Sequence, residues 1–257
     1  MIQGLTALTE LASLNLAAAF AVFLRVGAIM ALLPGFGEQS IPVRVRLVIA
    51  LAFTVITAPA IAPTLPSALL DRIGPAIGAE VVIGLSLGAT LRLFVMALSI
   101  AGSIAAQSVS LAQILGGAGV DPQPAIGHIM VLSGLTLAIM MGLHIKIAQL
   151  IIYSYELMPP GQWPDAADML TWGVDRVGKA FSLGFTLAAP FVIISMIYNL
   201  ALGVINRAMP QLMVSFVGAP AITAGGLIVL AMSLPFVLQV WLSLMDQFIV
   251  DPTGAPR

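Results

Sequence analysis

EVVIGLSLGATLR, residues 80–92, begins with a glutamate and ends with an arginine inside a long apolar run. Glu80, Gly84, Gly88 and Arg92 recur every four residues, so on a helix they form one slowly drifting stripe. Gly84 and Gly88 make a small-xxx-small pair, which lets a second helix approach closely. Glu80 and Arg92 stand about 18 Å apart on a straight helix and cannot pair with each other. Each needs a partner elsewhere. A helix–helix interface accounts for this stripe better than a transport pathway does. The same stretch contains GLSLG (84–88), a match to G-x-S-x-G. A nucleophile elbow needs a strand-to-helix turn with a histidine and an acid nearby. Ser86 sits mid-run in a helical pattern, so no enzymatic role is expected for it.

The rest of the chain agrees with a membrane setting. Of 257 residues, 60% are hydrophobic and 8% are charged, with a mean hydropathy of +1.09. Soluble domains carry about 25% charged residues, so this chain cannot cover a water-facing surface. The net charge of −1 gives no basic field for nucleic acid. With no cysteine there is no disulfide, iron–sulfur or thiolate chemistry. The two histidines, His128 and His144, are far apart in sequence, so no metal or other cofactor is expected. The first residues carry Glu10 and no basic cluster, and read as the entry to the first apolar segment rather than as a cleaved signal.

Apolar segments cover roughly 11–33, 43–63, 75–115, 125–157, 178–205 and 212–250. A simple span needs about 20 apolar residues. The first two segments fit. A continuous helix over 75–115 would reach about 60 Å, so the long segments must kink, double back as hairpins, or extend past the bilayer into a protein-covered space. Proline- and glycine-rich breaks fall at 33–42, 58–67 and 115–124. The most polar break, ELMPPGQWPDAAD (156–168), is expected to lie in water. Arg44, Arg46, Arg176 and Lys179 are too few to orient the chain by charge.

Arg25, Glu80, Arg92, Lys146 and Arg207 lie within or beside apolar runs. A charge at mid-bilayer costs about 2.5–3.5 kcal/mol on insertion scales. Five of them imply internal pairing, water-filled space or partner subunits. For Arg25 and Lys146, snorkelling from a segment end competes equally with those readings.

Two further stretches stand out. In LGGAGVDPQPAIG (115–127), Gly116, Gly117 and Gly119 permit positive φ, while Pro122 and Pro124 stiffen the chain after Asp121. A plain interhelical turn needs fewer residues; a segment half flexible and half stiff could fold inward and plug a lumen. In GVINRAMPQLM (203–213), Pro210 removes the donor that the carbonyl of Asn206 would receive. Asn206, Arg207 and Gln211 can tie down the freed backbone, which reads as a structural joint rather than a solute site.

These motifs together resemble the FliR family of flagellar export proteins and its type III secretion counterparts. The strongest is GVINRAMPQLMVSFVGAP (203–220), similar to the family's G-x-x-N-R-x-x-P-Q followed by the G-x-P at Gly218 and Pro220. PGFGEQSIPVRVRLVIALA (34–52), EVVIGLSLG (80–88), VDPQ (120–123) and SYELMPPG (154–161) agree. MGLHIK (141–146) departs, since the glycine that members place directly before the histidine is displaced; no role is carried to His144.

The resemblance implies an all-α integral membrane protein of kinked helices and helical hairpins, resembling a fusion of the FliP and FliQ folds. It implies a single export-gate domain over 1–257, and a noncatalytic subunit present as one copy that closes a ring of FliP and FliQ. FlhB would bind this core and unfolded export substrates would pass through it. The setting would be the bacterial inner membrane at the flagellar basal body, with lipid around part of the surface. In this resemblance Gly116, Gly117, Gly119, Asp121 and Pro122 belong to a loop that helps close the pore. An injectisome counterpart, a secondary transporter and an assembly-only scaffold are the alternatives.

Overall fold

The computed structural model describes residues 16, 19–37, 41–62, 73–110, 125–209 and 214–253, with backbone alone at 73, 110 and 214–220. Among the described residues every regular element is an α-helix. In chain order these are α1 (Ala19–Leu32), then α2 (Val43–Ile61), α3 (Ile73–Ser110), α4 (Ala125–Met140), α5 (Leu143–Leu157), α6 (Ala166–Ala208) and α7 (Val214–Val250). Four helices are long and apolar enough to cross a membrane, or five if α4 and α5 form one broken span. The chain is an all-α, multi-pass membrane protein.

The long segments resolve in different ways. The run at 75–115 does not kink or double back within its described part: α3 continues unbroken for 38 residues, about 57 Å. The run at 125–157 does break, at Met141–Gly142, where Gly142 has φ +80° and so adopts a backbone that a side chain would resist. Pro190 lies inside α6, yet that helix runs 43 residues, about 64 Å. Asp165 starts α6 by accepting from the N–H groups of Ala167 (2.8 Å) and Asp168 (3.1 Å), an N-cap that satisfies two orphan donors. Near the base of α6, Trp172 Nε1 and Arg176 Nη2 donate to the carbonyl of Pro252, just past α7, at 3.0 and 2.9 Å.

The chain forms two compact units. The first draws on Met1–Arg92, Ile139–Arg176 and Gln247–Arg257, and the second on Leu93–Ala138 and Val177–Asp246. In the first unit α1 buries Val22, Val26, Ile29 and Met30 at helical spacing. The matching stripe of α3 is Ala79, Ile83, Leu87 and Leu91. Close approach rests on two glycines. A Cβ on Gly84 would lie 2.5 Å from the Arg25 carbonyl oxygen, and one on Gly88 would lie 2.8 Å from that of Ile29. Helix α2 packs on α5 and buries Ala50, Thr54, Thr57 and Ile61.

In the second unit α3 and α4 meet backbone to backbone, since a Cβ on Gly102 would fall 2.2 Å from the Gly127 Cα. Gly184 of α6 instead receives the Ile100 side chain of α3, whose Cγ2 would lie 2.8 Å from a Cβ there. Trp241 is fully buried and donates its indole N–H to the Phe94 carbonyl at 2.8 Å.

Two glycine substitutions should separate close packing from open space. Gly84→Ala should destabilise the purified protein by about 1–3 kcal/mol, because backbone must move to admit the methyl group. Gly27→Ala, in the first unit like Gly84 but with nothing within 4 Å of its Cβ position, should be neutral or stabilise by up to about 1 kcal/mol through helix propensity. Thermal unfolding in detergent compares the two.

Candidate functional site: a buried ion-pair node

Arg25 and Glu80 are both fully buried, and they are paired. Arg25 Nε donates to Glu80 Oε2 at 2.7 Å, and Nη2 donates to Oε1 at 3.2 Å, the two-pronged contact that suits a guanidinium. The remaining donors are also used. Nη1 reaches the Ser154 carbonyl (3.0 Å) and its Oγ (3.1 Å), and Nη2 reaches the Met158 carbonyl (3.0 Å). On the other side, Glu80 accepts the Tyr155 hydroxyl at Oε2 (3.1 Å) and the Gly161 N–H at Oε1 (3.0 Å). The Tyr155 ring lies 3.6 Å from the guanidinium carbon, a cation–π contact.

The pair therefore has two hydrogen bonds on each carboxylate oxygen and a partner in every direction the guanidinium points. A lone buried ion costs several kcal/mol, and only an arrangement this complete repays that desolvation. The snorkelling reading of Arg25 is thus corrected: its side chain runs inward to a carboxylate 55 residues away. Glu80 does find its partner on another helix.

Four pieces of chain meet here: α1, α3, α5 and the break after α5. That break does not simply lie in water as its polarity suggests. Met158 and Gly161 give main-chain groups to the node, and Pro160 is buried. Gly161 takes φ +74°, a conformation open to glycine, and this aims its N–H at Glu80. Trp163 then covers α3 at Gly78, where a Cβ would meet its ring at 2.7 Å. The segment is a strap across the start of α3. Sequence reasoning missed it because both main-chain groups carry no side-chain signal; the positive-φ glycine in PPG was the one available clue.

The other expected positions fall elsewhere. Gly84 and Gly88 lie one and two turns beyond Glu80 against α1. Arg92, at the far end of the stripe, is exposed. Asn206 and Arg207 are exposed at the end of α6. Pro210 and Gln211 lie outside the described residues, as do Gly116, Gly117, Gly119, Asp121 and Pro122; at Gly218 and Pro220 only the helical backbone is described. Ser86 is inside α3 and donates back to the Val82 and Ile83 carbonyls, both at 2.9 Å, so no elbow exists there. His128 and His144 are exposed, and no group of three metal-ligating residues occurs among the described residues.

A multi-pass, all-helical membrane protein with a buried ion pair and small-residue helix contacts is the class these features define. The chain matches the model of the bacterial export proteins, family 1, over residues 16–248. It is 37% identical over 225 residues to the flagellar biosynthetic protein FliR of Caulobacter vibrioides, covering 86% of this chain and 89% of that one. It is 28% identical over 217 residues to FliR of Escherichia coli, covering 83% of each, and 29% identical over 230 residues to FliR of Bacillus subtilis, covering 85% and 86%. The chain belongs to the FliR proteins within the bacterial export proteins, family 1.

Stability should follow the geometry of the node. Glu80→Gln strands the guanidinium and should cost about 3–5 kcal/mol. Tyr155→Phe keeps the ring over Arg25 and loses one bond to a charged group, about 1–3 kcal/mol. Replacing both charges by apolar residues should not restore stability, because the Met158 carbonyl and the Gly161 N–H then lose their partners, each at about 1–3 kcal/mol. Denaturant unfolding of the purified variants gives the order.

Proposed function

We propose that this chain is a noncatalytic subunit of the flagellar type III protein export gate in the bacterial inner membrane. It works as one export-gate domain beside FliP, FliQ and FlhB subunits, and it helps form and close the channel that unfolded export substrates traverse. The observation that carries this reading is the family match over 16–248, together with the 37% identity to a flagellar relative. Helix lengths support it. Hydrocarbon is about 30 Å thick, whereas α6 is about 64 Å long and carries exposed apolar side chains from Leu170 to Ile205, about 52 Å. Apolar surface of that length fits subunits packed side by side better than lipid alone.

The free energy for export comes from outside the chain, which has no G-x-x-x-x-G-K-[ST] phosphate loop. Its part is that of a gated wall. The glycine-rich stretch Gly116–Pro122 serves as the plug, and the 203–220 motif is an assembly joint, with Asn206, Arg207, Pro210 and Gln211 at its turn. Both assignments rest on sequence.

Deleting the chain in the bacterium that makes it should abolish flagellar filaments and secretion of flagellar subunits, with Ser86→Ala restoring both fully; intact secretion without the chain contradicts the reading. Shortening residues 116–120 should make membranes containing the assembled complex leak ions, and unchanged conductance of the reconstituted complex would sink the plug assignment.

A further inference from the structure

The exposed side of α3 differs in kind from that of α2. On α2, every exposed residue from Leu47 to Ala60 is apolar, while Thr54 and Thr57 turn inward and bond the Ala50 and Phe53 carbonyls. This is a surface made for hydrocarbon. On α3 the exposed and half-exposed side carries Arg92, Met96, Ser99, Ser103 and Gln107. Their spacings of four, three, four and four residues place them on one line along the helix, about 22 Å long. Opposite faces carry the buried Leu91, Leu98, Ala101 and Ala105.

Arg92 is the central puzzle of this line. It lies about 27 Å from either end of α3, too far for its side chain to reach beyond the helix. Among the described residues it has no acceptor. Because α3 is about twice as long as hydrocarbon is thick, two placements exist. Either Arg92 sits within the hydrocarbon layer, or the half of α3 that follows it extends past that layer. Lipid tails suit the polar line in neither case. One carboxylate from a partner would satisfy Arg92 but would leave the serines and the glutamine unexplained. Those are uncharged groups: Ser99 and Ser103 already bond the Val95 and Ser99 carbonyls, so they need no specific partner and tolerate water.

We propose that this face of α3, from Arg92 to Gln107, is a wetted wall of the export path, and that Arg92 is held there by water rather than by a fixed ion pair. The inference rests on the export-gate reading and gives it a surface. A line of two small hydroxyls, one amide, one cation and a single methionine, Met96, offers a sliding unfolded chain weak, exchangeable contacts.

The absence of native cysteine makes the test direct. Ser99→Cys, Ser103→Cys and Gln107→Cys are introduced one at a time, with Val48→Cys and Val55→Cys on α2 as comparisons, into the full chain assembled in its own membrane. A membrane-impermeant cationic methanethiosulfonate reagent is applied to intact cells and to inverted vesicles. Thiolates form in water and not against hydrocarbon, so the α3 positions should react at least about tenfold faster than the α2 positions from one side or the other. Three positions read separately keep the result independent of any one variant that fails to fold. Cysteines on α3 that react no faster than those on α2, in variants that still support flagellar assembly, overturn the proposal; so do cysteines that react only after detergent separates the complex, since a partner helix then covers the face. A wild-type chain that does not restore assembly to a strain lacking it removes the export reading, and this inference with it.

Discussion

A carboxylate and a guanidinium, both without solvent, decide how the first unit of this protein is put together. The Arg25–Glu80 pair could not persist if either member lost its other bonds, because the desolvation of two ions exceeds the attraction between them unless the site is complete. Completeness needs Ser154, Tyr155, Met158 and Gly161 in place at once. The pair is thus less a source of net stability than a requirement that α1, α3, α5 and the strap be in register together. An apolar contact tolerates sliding; this one does not.

The glycines make that register reachable. Gly84 and Gly88 lie beyond Glu80 on the same face of α3, and they bring α1 close enough for the Arg25 side chain to bond the carboxylate. The charge and the small residues are one device: the glycines set the distance and the ion pair sets the axial position. The polar line on α3 lies on a different face from this locked seam, which leaves the helix free to serve both.

Much of this was legible in the sequence. Composition pointed to a membrane protein, and the family resemblance implied an all-α one. The four-residue spacing from Glu80 to Arg92 gave a helix face and the requirement that the two charges find separate partners. The identity of the Glu80 partner could not be read, because period and spacing describe one helix at a time and Arg25 belongs to another. Its place toward a segment end even made snorkelling a fair alternative. Helix continuity was also hidden. The run at 75–115 had to kink, double back or extend past the bilayer, and α3 is continuous over its 38 described residues, whereas the run at 125–157 breaks at a single glycine with positive φ. The strap escaped notice because its working groups are a carbonyl and an N–H, which every residue has. The 203–213 turn and the 115–124 stretch remain readings of sequence.

If the node is what fixes the strap, the Gly161 N–H is the bond through which it does so. Hydrogen exchange at that amide is the most direct test, since an N–H outside any helix is normally replaced within the time of loop motions. Gly161 should exchange as slowly as the core amides of α3, and Glu80→Ala should speed it at least about a hundredfold while those core amides change less. A Gly161 amide that exchanges at the rate of an open loop in the unaltered protein would contradict this role for the node.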